Sequence, residues 1–242
     1  MTDASNALLQ QAMTRVKPVT LREQVYNQIR QAIFERNLKP GDHIQERELT
    51  PLLNISRTPL REALGLLERD GLVQYFPNRG WFVTKYTPPE IAEIFAIRSG
   101  LENLAADLII DRLTEADFAE LRARIDELGE AILTEDVPRK FKLDMDFHQR
   151  VVELSGNRRL LRMWQNIAVQ CSIVFHYHTV TLPDYDHWLA VVDHTAILNA
   201  LRSGEAAAVH AVNNEINQRV AAQCIEGFLA AEGREAANPP PE

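Results

Sequence analysis

The sequence predicts a mostly α-helical protein in which an N-terminal winged helix-turn-helix, with a small β-hairpin as its wing, precedes an all-helical C-terminal bundle. Three observations predict this architecture. Residues 40–83 follow the pattern of two short helices, a tight turn and a hairpin with a basic tip. Residues 90–232 carry helical patterns almost throughout, and the formal charge differs between the two parts of the chain.

The first third of the chain divides into an arm, a helix and the compact motif. Residues 1–17 are polar, and the apolar residues that follow are spaced as the buried side of a helix: Leu21, Val25, Ile29 and Ile33. We therefore expect five segments in the whole chain, namely a flexible arm at 1–17, a winged helix-turn-helix at 18–85, a linker at 86–89, a helical domain at 90–232 and a disordered tail at 233–242.

The helix-turn-helix is expected to begin with a short amphipathic helix. Glu46, Arg47 and Glu48 lie on its solvent side, and a turn at residues 54–55 follows it. The residues expected on its buried side are Ile44, Leu49, Leu52 and Leu53. A helix of this kind is stabilised only by packing against its neighbours.

The second helix of the motif has a marked beginning and a marked end. Ser56 and Thr58 are both good N-cap residues, and the sequence leaves open which of them caps the helix. Pro59 fits the first turn, where its missing N–H is harmless, and Gly71 is a suitable C′ residue. A buried stripe is predicted at Leu60, Leu64 and Leu67.

Arginines occupy the positions of this motif that solvent should reach. Arg57 and Arg61 are four residues apart and share the face opposite the stripe, while Arg79 lies in the turn between strands at 72–76 and 81–83. Arginine can bind guanine O6 and N7 with two hydrogen bonds or grip a phosphate. The set indicates a helix that reads DNA, although for each arginine alone an ordinary solvated charge is an equal alternative.

The distribution of charge supports a DNA-binding head. The formal net charge of the 242 residues is −8. Residues 1–85 contain 12 Lys and Arg against 9 Asp and Glu, whereas the remainder contains 14 against 25, so the charges are +3 and −11. A basic head on an acidic body is expected when only the head meets phosphate.

The remainder of the chain has the pattern of six helices. Thr114 with Asp117 is a capping signal, and the Gly156-Asn157 and Ser203-Gly204 pairs are helix breaks. The expected helices are 89–113, 114–134, 138–155, 158–178, 185–203 and 204–231.

The number of cysteines and the hydropathy of the sequence indicate the cellular compartment of the protein. Cys171 and Cys224 are too few and too far apart for a disulfide framework, so we expect reduced thiols in the core. The sequence shows neither an apolar run of membrane-spanning length nor a secretory leader at its start. These features predict a cytoplasmic protein.

The run ERELTPLLNISRTPLREALGLLERDGLV, followed by PNRGWFV, resembles the DNA-binding domain of the GntR superfamily of bacterial transcription factors. The resemblance covers roughly the first third of the chain. It implies that the DNA contacts fall on Arg47, Ser56, Arg57, Thr58, Arg61, Arg79 and Gly80.

Three phrases of the second part, IRSGLENLAADL, DMDFHQRVVELSGNRRLL and VDHTAILNALRSGE, are similar to the all-helical FCD domain of the FadR-type group of that superfamily. Each phrase is looser than the motif of the head, and their order and spacing carry most of the resemblance. It implies an effector-binding domain.

A carboxylate and two imidazoles form a candidate metal site. Asp144 and His148 are four residues apart on one helix and share a face, and His194 lies on another helix. Spacing alone leaves a surface ion pair as the more common explanation. The resemblance strengthens the metal hypothesis, because many FCD domains bind a divalent metal, most often zinc, through an Asp-x3-His pair and two further histidines.

The chain departs from the FCD pattern at the last of these histidines. The expected position is occupied by Ile216, which cannot bind a metal. Neighbouring polar residues remain open as substitutes, directly or through water, namely Asn213, Asn214, Glu215 and Asn217. His210 is nearly two turns away and is a poor candidate.

Arg98 is the candidate effector-binding residue. It matches an arginine that recurs in FCD domains, and it would clamp one end of a small carboxylate whose other end completes the coordination of the metal. The alternative is a salt bridge between Arg98 and Glu102, which are four residues apart.

These features predict a transcription regulator that is not an enzyme. We expect a homodimeric repressor that binds a palindromic operator and responds to a small carboxylate. One alternative is a metal-dependent enzyme with a fused DNA-binding head, although no nucleophile–base pair and no phosphate-binding loop is evident. Another is an architectural protein without a ligand, against which the polar residues expected inside the bundle argue.

Overall fold

The computed structural model describes residues 20–134, 137–181 and 185–237. The predicted arm at 1–17 lies outside these residues. The elements of the N-terminal head are, in chain order, α1 (Leu21–Phe34), β1 (His43–Ile44), α2 (Glu46–Leu52), α3 (Arg57–Arg69), β2 (Val73–Phe76) and β3 (Gly80–Val83). The strands form an antiparallel sheet in the order β1-β3-β2, so the head is a winged helix-turn-helix.

Helix α1 starts and packs as its sequence predicts. Thr20 and Glu23 form a capping box, in which each side chain accepts a hydrogen bond from the backbone N–H of the other residue. The side chains of Val25, Ile29 and Ile33 are buried against α3 and the sheet. This helix therefore supports the helix-turn-helix from beneath.

The predicted buried stripe of α3 is confirmed. Leu60, Leu64 and Leu67 have no exposed surface, and Ala63 joins them in the core. Gly71 ends the helix with φ at +78°, and its N–H donates to the carbonyl of Glu68. The stripe fixes which face of α3 remains in contact with solvent.

The prediction for α2 was wrong at two residues. Ile44 lies in strand β1, opposite Trp81, and not on the helix. The side chain of Leu52 is 77% exposed. Strand β1 was not predicted, because two residues show no alternation that a sequence pattern could reveal.

Among the described residues six helices form the body, as predicted: α4 (Pro88–Ile109), α5 (Glu115–Leu133), α6 (Val137–Leu154), α7 (Arg158–Thr181), α8 (Leu189–Arg202) and α9 (Ala206–Ala237). The predicted capping box of Thr114 and Asp117 begins α5. Cys171 and Cys224 are buried free thiols. In the described part of the chain, no helix has the length and hydropathy of a membrane span.

Two predicted boundaries of the body were wrong. Helix α4 begins at Pro88, one residue before the helix predicted at 89–113, so the linker predicted at 86–89 is shorter; Pro88 and Pro89 form the first turn after the N-cap residue Thr87. Proline fits there because the first helical N–H groups have no partner within the helix. At the other end, α9 continues to Ala237 through residues expected in the disordered tail, and 238–242 lie outside the described residues.

Helix α4 lies at the centre of the body and packs against α6, α7 and α9. Its buried face includes the charged residues Arg98 and Glu102 beside apolar ones such as Phe95 and Ala105. Charged groups are rarely buried unless they are paired, so this part of α4 marks a place where the bundle contains more than an apolar core.

Candidate functional site: a DNA-binding surface and a buried polar cluster

The solvent face of α3 carries the arginines and hydroxyls expected to meet DNA. Arg57, Thr58 and Arg61 are exposed, and Ser56 occupies the N-cap position without making a capping hydrogen bond through its side chain. Ser56, not Thr58, is therefore the N-cap residue by position. The first N–H groups of α3 and the positive end of its dipole face the same side, and both favour an anion.

Arg61 is held in place by a carboxylate from the preceding helix. Its Nε donates to both carboxylate oxygens of Glu46, at 2.8 and 3.1 Å. Oε1 of Glu46 also accepts a hydrogen bond from Nε1 of Trp81, at 3.2 Å. The Arg61 side chain nevertheless stays 63% exposed.

The tip of the wing presents the third arginine. The guanidinium of Arg79 lies over the rings of Phe76 and Phe82, 5.6 and 5.2 Å from their centroids. Gly80 follows with φ at +91°, and a Cβ at this position would come within 3.0 Å of Nε2 of His43. The close approach and the backbone conformation both require glycine there.

Arg47 lies on α2, and 78% of its side chain is accessible. Its Nε donates to Oε1 of Gln45, and its Nη2 is 3.8 Å from Oε1 of Glu48. The structure thus places the sequence-predicted residues of the head on the exposed surface of α2, α3 and the wing.

Inside the body, the structure brings Asp144, His148 and His194 together. The Nε2 atoms of the two imidazoles are 2.9 Å apart, and Nε2 of His194 is 3.4 Å from Oδ1 of Asp144. One ligand atom from each residue lies within 4.8 Å of the others. Both histidines are buried, with 5% and 1% of their surface exposed, so the explanation as a surface ion pair is wrong.

Glu102 connects this cluster to further buried polar groups. Oε1 of Glu102 accepts from Nδ1 of His148 at 3.2 Å, from Nε of Arg98 at 2.9 Å and from Nε1 of Trp164 at 3.1 Å. Burial alone would raise the pKa of Glu102, but the charge of Arg98 and the hydrogen bonds from Arg98 and His148 hold it well below its ordinary value. Glu102 therefore stays ionised and orients His148.

The protonation of the remaining groups follows from burial. Burial, the largest cause, and the nearby charge of Arg98 lower the pKa of His194 well below its ordinary value, so that imidazole is neutral. Burial also raises the pKa of Asp144. Nδ1 of His194 and Oε2 of Glu102 are buried without a hydrogen-bond partner among the described residues. A neutral imidazole and an oriented one, with Nε2 atoms converging beside a carboxylate, suit a divalent transition metal.

A small cavity adjoins the cluster, and its lining includes the predicted effector-binding arginine and the isoleucine at the expected position of the last histidine. Arg98 lines it together with Asp144, His148, His194 and Ile216. Further lining residues are Phe175, Tyr185, Ala190, Asp193, Asn217 and Val220. The cavity thus joins the predicted metal ligands to the predicted effector-binding arginine.

Of the polar residues around Ile216, only Asn217 lines this cavity among the described residues. Asn213 and Asn214 hydrogen-bond to Asn103 on α4, and Glu215 is exposed. Nε2 of His210 is 2.8 Å from Oδ1 of Asp107, outside the cluster, as its spacing predicts.

Sequence reasoning missed three groups of the site. Trp164 and Asp193 come from helices that no local spacing relates to α4 or α6, so no sequence signal predicts their contacts. Glu102 was noticed only as a partner of Arg98, and the ion pair is present. Its bond to His148 requires the crossing of α4 and α6, which periodicity does not reveal.

A winged helix-turn-helix joined to a helical body with a buried polar cavity defines a two-domain DNA-binding regulator. Residues 21–83 match the family model of the bacterial regulatory proteins of the gntR family, and residues 93–219 match that of the FCD domain. The chain belongs to the GntR family of transcriptional regulators, with a C-terminal FCD domain, and this family is not one of enzymes.

Relatives agree with this assignment. The chain is 37% identical over 153 residues to the HTH-type transcriptional regulator YdhC of Bacillus subtilis, covering 62% of this chain and 68% of that protein. It is 36% identical over 135 residues to the Nta operon transcriptional regulator of Aminobacter aminovorans, covering 54% of this chain and 62% of that one. The chain thus spans about two thirds of the length of these relatives.

A solved structure shares the fold. Escherichia coli McbR/YncC superposes with a TM-score of 0.70 at 24% identity, covering 87% of this chain and 99% of that one. The order of a winged helix-turn-helix followed by a helical domain is therefore confirmed. The comparisons give no support to the alternative of a metal-dependent enzyme with a fused DNA-binding head.

Proposed function

We propose that this regulator is a homodimeric repressor whose affinity for a palindromic operator changes when a small carboxylate binds in the cavity of the body. Residues 18–85 bind DNA, and residues 90–232 bind the effector and dimerise. The observation that carries the proposal is the buried convergence of Asp144, His148 and His194 with Arg98 in one cavity, behind a head whose arginines face solvent.

In the head, α3 enters the major groove and the wing contacts the adjacent backbone. Arg57 and Arg61 read base edges, and Arg47, with the hydroxyls of Ser56 and Thr58, holds phosphates. Arg79 and the Gly80 backbone contact DNA at the wing tip. Their exposure on one connected surface supports this assignment.

In the body, Asp144, His148 and His194 hold a divalent metal, with zinc the first candidate. Glu102 accepts a hydrogen bond from Nδ1–H of His148 and so leaves the Nε2 lone pair of His148 for the ion, as carboxylate–histidine pairs do at metal sites. When bound, the ion supplies a Lewis-acidic position for an effector carboxylate. Ile216 limits the protein ligands to three and leaves that position open.

Arg98 contributes positive charge at the other side of the cavity. Its Nε is engaged by Glu102, but the guanidinium carries further donors on its two terminal nitrogens, and it lines the cavity. Burial would lower the pKa of Arg98, but Glu102 raises it, so the charge persists. A carboxylate is the effector that this charge favours.

An exposed apolar stripe on α4 supports the homodimer. Ile97, Leu104 and Leu108 are 53%, 45% and 39% exposed, and Met163 of α7, at 59%, lines a groove together with Ile97. The spacing of the α4 residues places them on one side of the helix. Such a stripe fits a second copy of the same helix about a two-fold axis.

The experiment measures binding and response separately in the full chain. We expect zinc and one member of a panel of small carboxylates together to raise the Tm and to weaken binding to DNA selected from a random pool. Arg98→Ala alone would leave Glu102 buried and unpaired, so the test compares Glu102→Gln with Arg98→Ala/Glu102→Gln.

The double variant should lose the carboxylate-dependent Tm shift while retaining DNA affinity, and the single variant should keep part of the shift. An unchanged carboxylate affinity by calorimetry in the double variant would contradict the role of Arg98. A panel without any Tm shift would contradict the effector hypothesis itself.

A further inference from the structure

Glu46 is an acidic residue in the middle of a surface that should attract phosphate. It is the first residue of α2, and its side chain is 19% exposed, whereas that of its partner Arg61 is 63% exposed. A carboxylate near a DNA backbone is repelled by it and lowers affinity for any sequence. Its presence therefore calls for a role other than general affinity.

The contacts of Glu46 fix the direction of the Arg61 side chain. Both carboxylate oxygens accept from Nε of Arg61, at 2.8 and 3.1 Å. A guanidinium engaged at Nε keeps the donors of its two terminal nitrogens, and these are the pair that can bind guanine O6 and N7 together. The carboxylate thus restrains the chain of the arginine without occupying its reading edge.

Glu46 is itself restrained by the wing. Its Oε1 accepts a hydrogen bond from Nε1 of Trp81, which is 8% exposed and lies in β3. Trp81 also pairs with Ile44 in β1, two residues before Glu46. Arg61 on the reading helix is therefore connected to the sheet through one carboxylate.

Arg57 offers an internal comparison. It lies four residues before Arg61 on the same exposed face, and within the described residues it forms no ion pair with a carboxylate. A free arginine loses more side-chain entropy on binding than one already held in its bound geometry. The two arginines thus differ in how far they are organised before DNA arrives.

We propose that Glu46 is a positioning residue for sequence readout by Arg61, a role that rests on the proposed DNA-binding function of this surface. Glu46 lowers the affinity for DNA of any sequence, because its carboxylate repels every phosphate backbone equally. It raises the preference for one base, because it holds Arg61 in the geometry that binds that base. Trp81 couples this restraint to the placement of the wing.

The test selects duplexes from a random DNA pool with the full-length protein and compares the motifs that four forms enrich: the wild type, Arg61→Ala, Glu46→Gln and Glu48→Gln. Glu48 is the matched control, because it is an exposed carboxylate on the same helix that contacts Arg47 and not Arg61. Arg61→Ala identifies the base positions that depend on this arginine.

We expect Glu46→Gln to weaken preference at those same positions by about three- to tenfold, the range for one side chain that must be ordered on binding. Its affinity for unrelated DNA should be unchanged or higher, and Glu48→Gln should enrich the wild-type motif. A purely structural role of Glu46 would instead weaken the preference at all positions together.

Suppose that Arg61→Ala loses preference at some base positions but Glu46→Gln enriches the same motif as the wild type. That result would overturn the inference and leave the DNA-binding function standing. Absence of any motif with the wild type would overturn that function itself. Should Glu46→Gln fail to fold, as judged by its Tm, Trp81→Phe removes the donor to Glu46 together with part of a core ring, and it is expected to weaken the same positions. A wild-type motif from Trp81→Phe would then count against the inference.

Discussion

At the scale of single residues, the most informative position is Ile216. It lines the cavity beside Asp144, His148 and His194, where a further imidazole would complete a four-ligand site. Structural zinc sites are closed by four protein ligands, whereas sites that bind a further molecule keep one position open. For the metal and effector proposed above, an isoleucine there would weaken the retention of the metal and leave room for the effector.

The variant Ile216→His tests this argument. We expect zinc affinity, measured by competition with a chelating dye, to rise by at least roughly tenfold. Loss of a group that only hydrogen-bonds to a metal ligand already lowers metal affinity by that factor, and an added ligand should count for no less. Carboxylate binding should weaken because the open position is filled. Val212→His places the same side chain one turn earlier on α9, outside the cavity lining, and should leave zinc affinity unchanged. Equal affinities in all three proteins would contradict the metal assignment.

Sequence alone could predict part of this site and not the rest. Asp144 and His148 share a helix, so their spacing predicts that they share a face. His194 comes from another helix, and only the family resemblance brought it into the set. The contacts of Glu102 with His148 and Trp164 depend on how three helices cross, which no local pattern encodes.

At the scale of elements, predictability follows the length of the repeating pattern. Helix α3 was predicted because its stripe repeats at helical spacing between an N-cap residue and a C′ glycine. Strand β1 was missed because its two residues are defined by pairing with Phe82 and Trp81, which lie far along the chain. Helix α4 was predicted to begin at residue 89 and begins at Pro88, because the two prolines were interpreted as a linker signal.

The joint between α1, α3 and the body provides a prediction at this scale. The hydroxyl of Tyr26 donates to Oδ2 of Asp70 at 2.8 Å, and Oδ1 of Asp70 accepts from Nδ2 of Asn166 on α7 at 3.3 Å. Burial and the hydrogen bond to Asp70 raise the pKa of Tyr26 from its ordinary value of 10 to about 12. A raised pKa means that folding favours the protonated phenol.

Tyr26→Phe should lower the free energy of unfolding by about 1 kcal/mol at neutral pH, the usual contribution of one hydrogen bond. The contribution of the phenol is complete below pH 10 and is lost as the pH rises through about 12. Urea titrations should therefore show the variant and the wild type converging between these values. Tyr75→Phe, which changes an exposed tyrosine of the wing, should give no such difference.

At the scale of the whole molecule, an aromatic series connects the cavity to the head. Tyr185 and Phe175 line the cavity, with ring centroids 5.6 Å apart. Phe175 meets Phe141 at 5.8 Å, and Phe141 meets Phe34, at the end of α1, at 5.7 Å. All three contacts are edge-on. A ligand that displaces Tyr185 or Phe175 thus acts on side chains packed against the head.

Coupling between two sites is a free energy that both ligands share, and it needs an element whose placement both of them bias. Phe141 contacts both Phe34 of the head and Phe175 of the cavity wall, and it is buried. Phe141→Leu keeps an apolar side chain there but removes the ring edges. We therefore expect the variant to bind its carboxylate and its DNA almost normally and to lose most of the effect of one on the other.

The measurement is the ratio of DNA affinities with and without the carboxylate, for which regulators typically show about 5- to 150-fold. In Phe141→Leu this ratio should approach one, while the carboxylate-dependent Tm shift remains. Phe118→Leu is the matched control, because Phe118 is 8% exposed against 7% for Phe141 but lies on α5 in the apolar cluster with Leu121 and Ile125, outside the aromatic series. A ratio equal to that of the wild type in Phe141→Leu would mean that the signal reaches the head by another path.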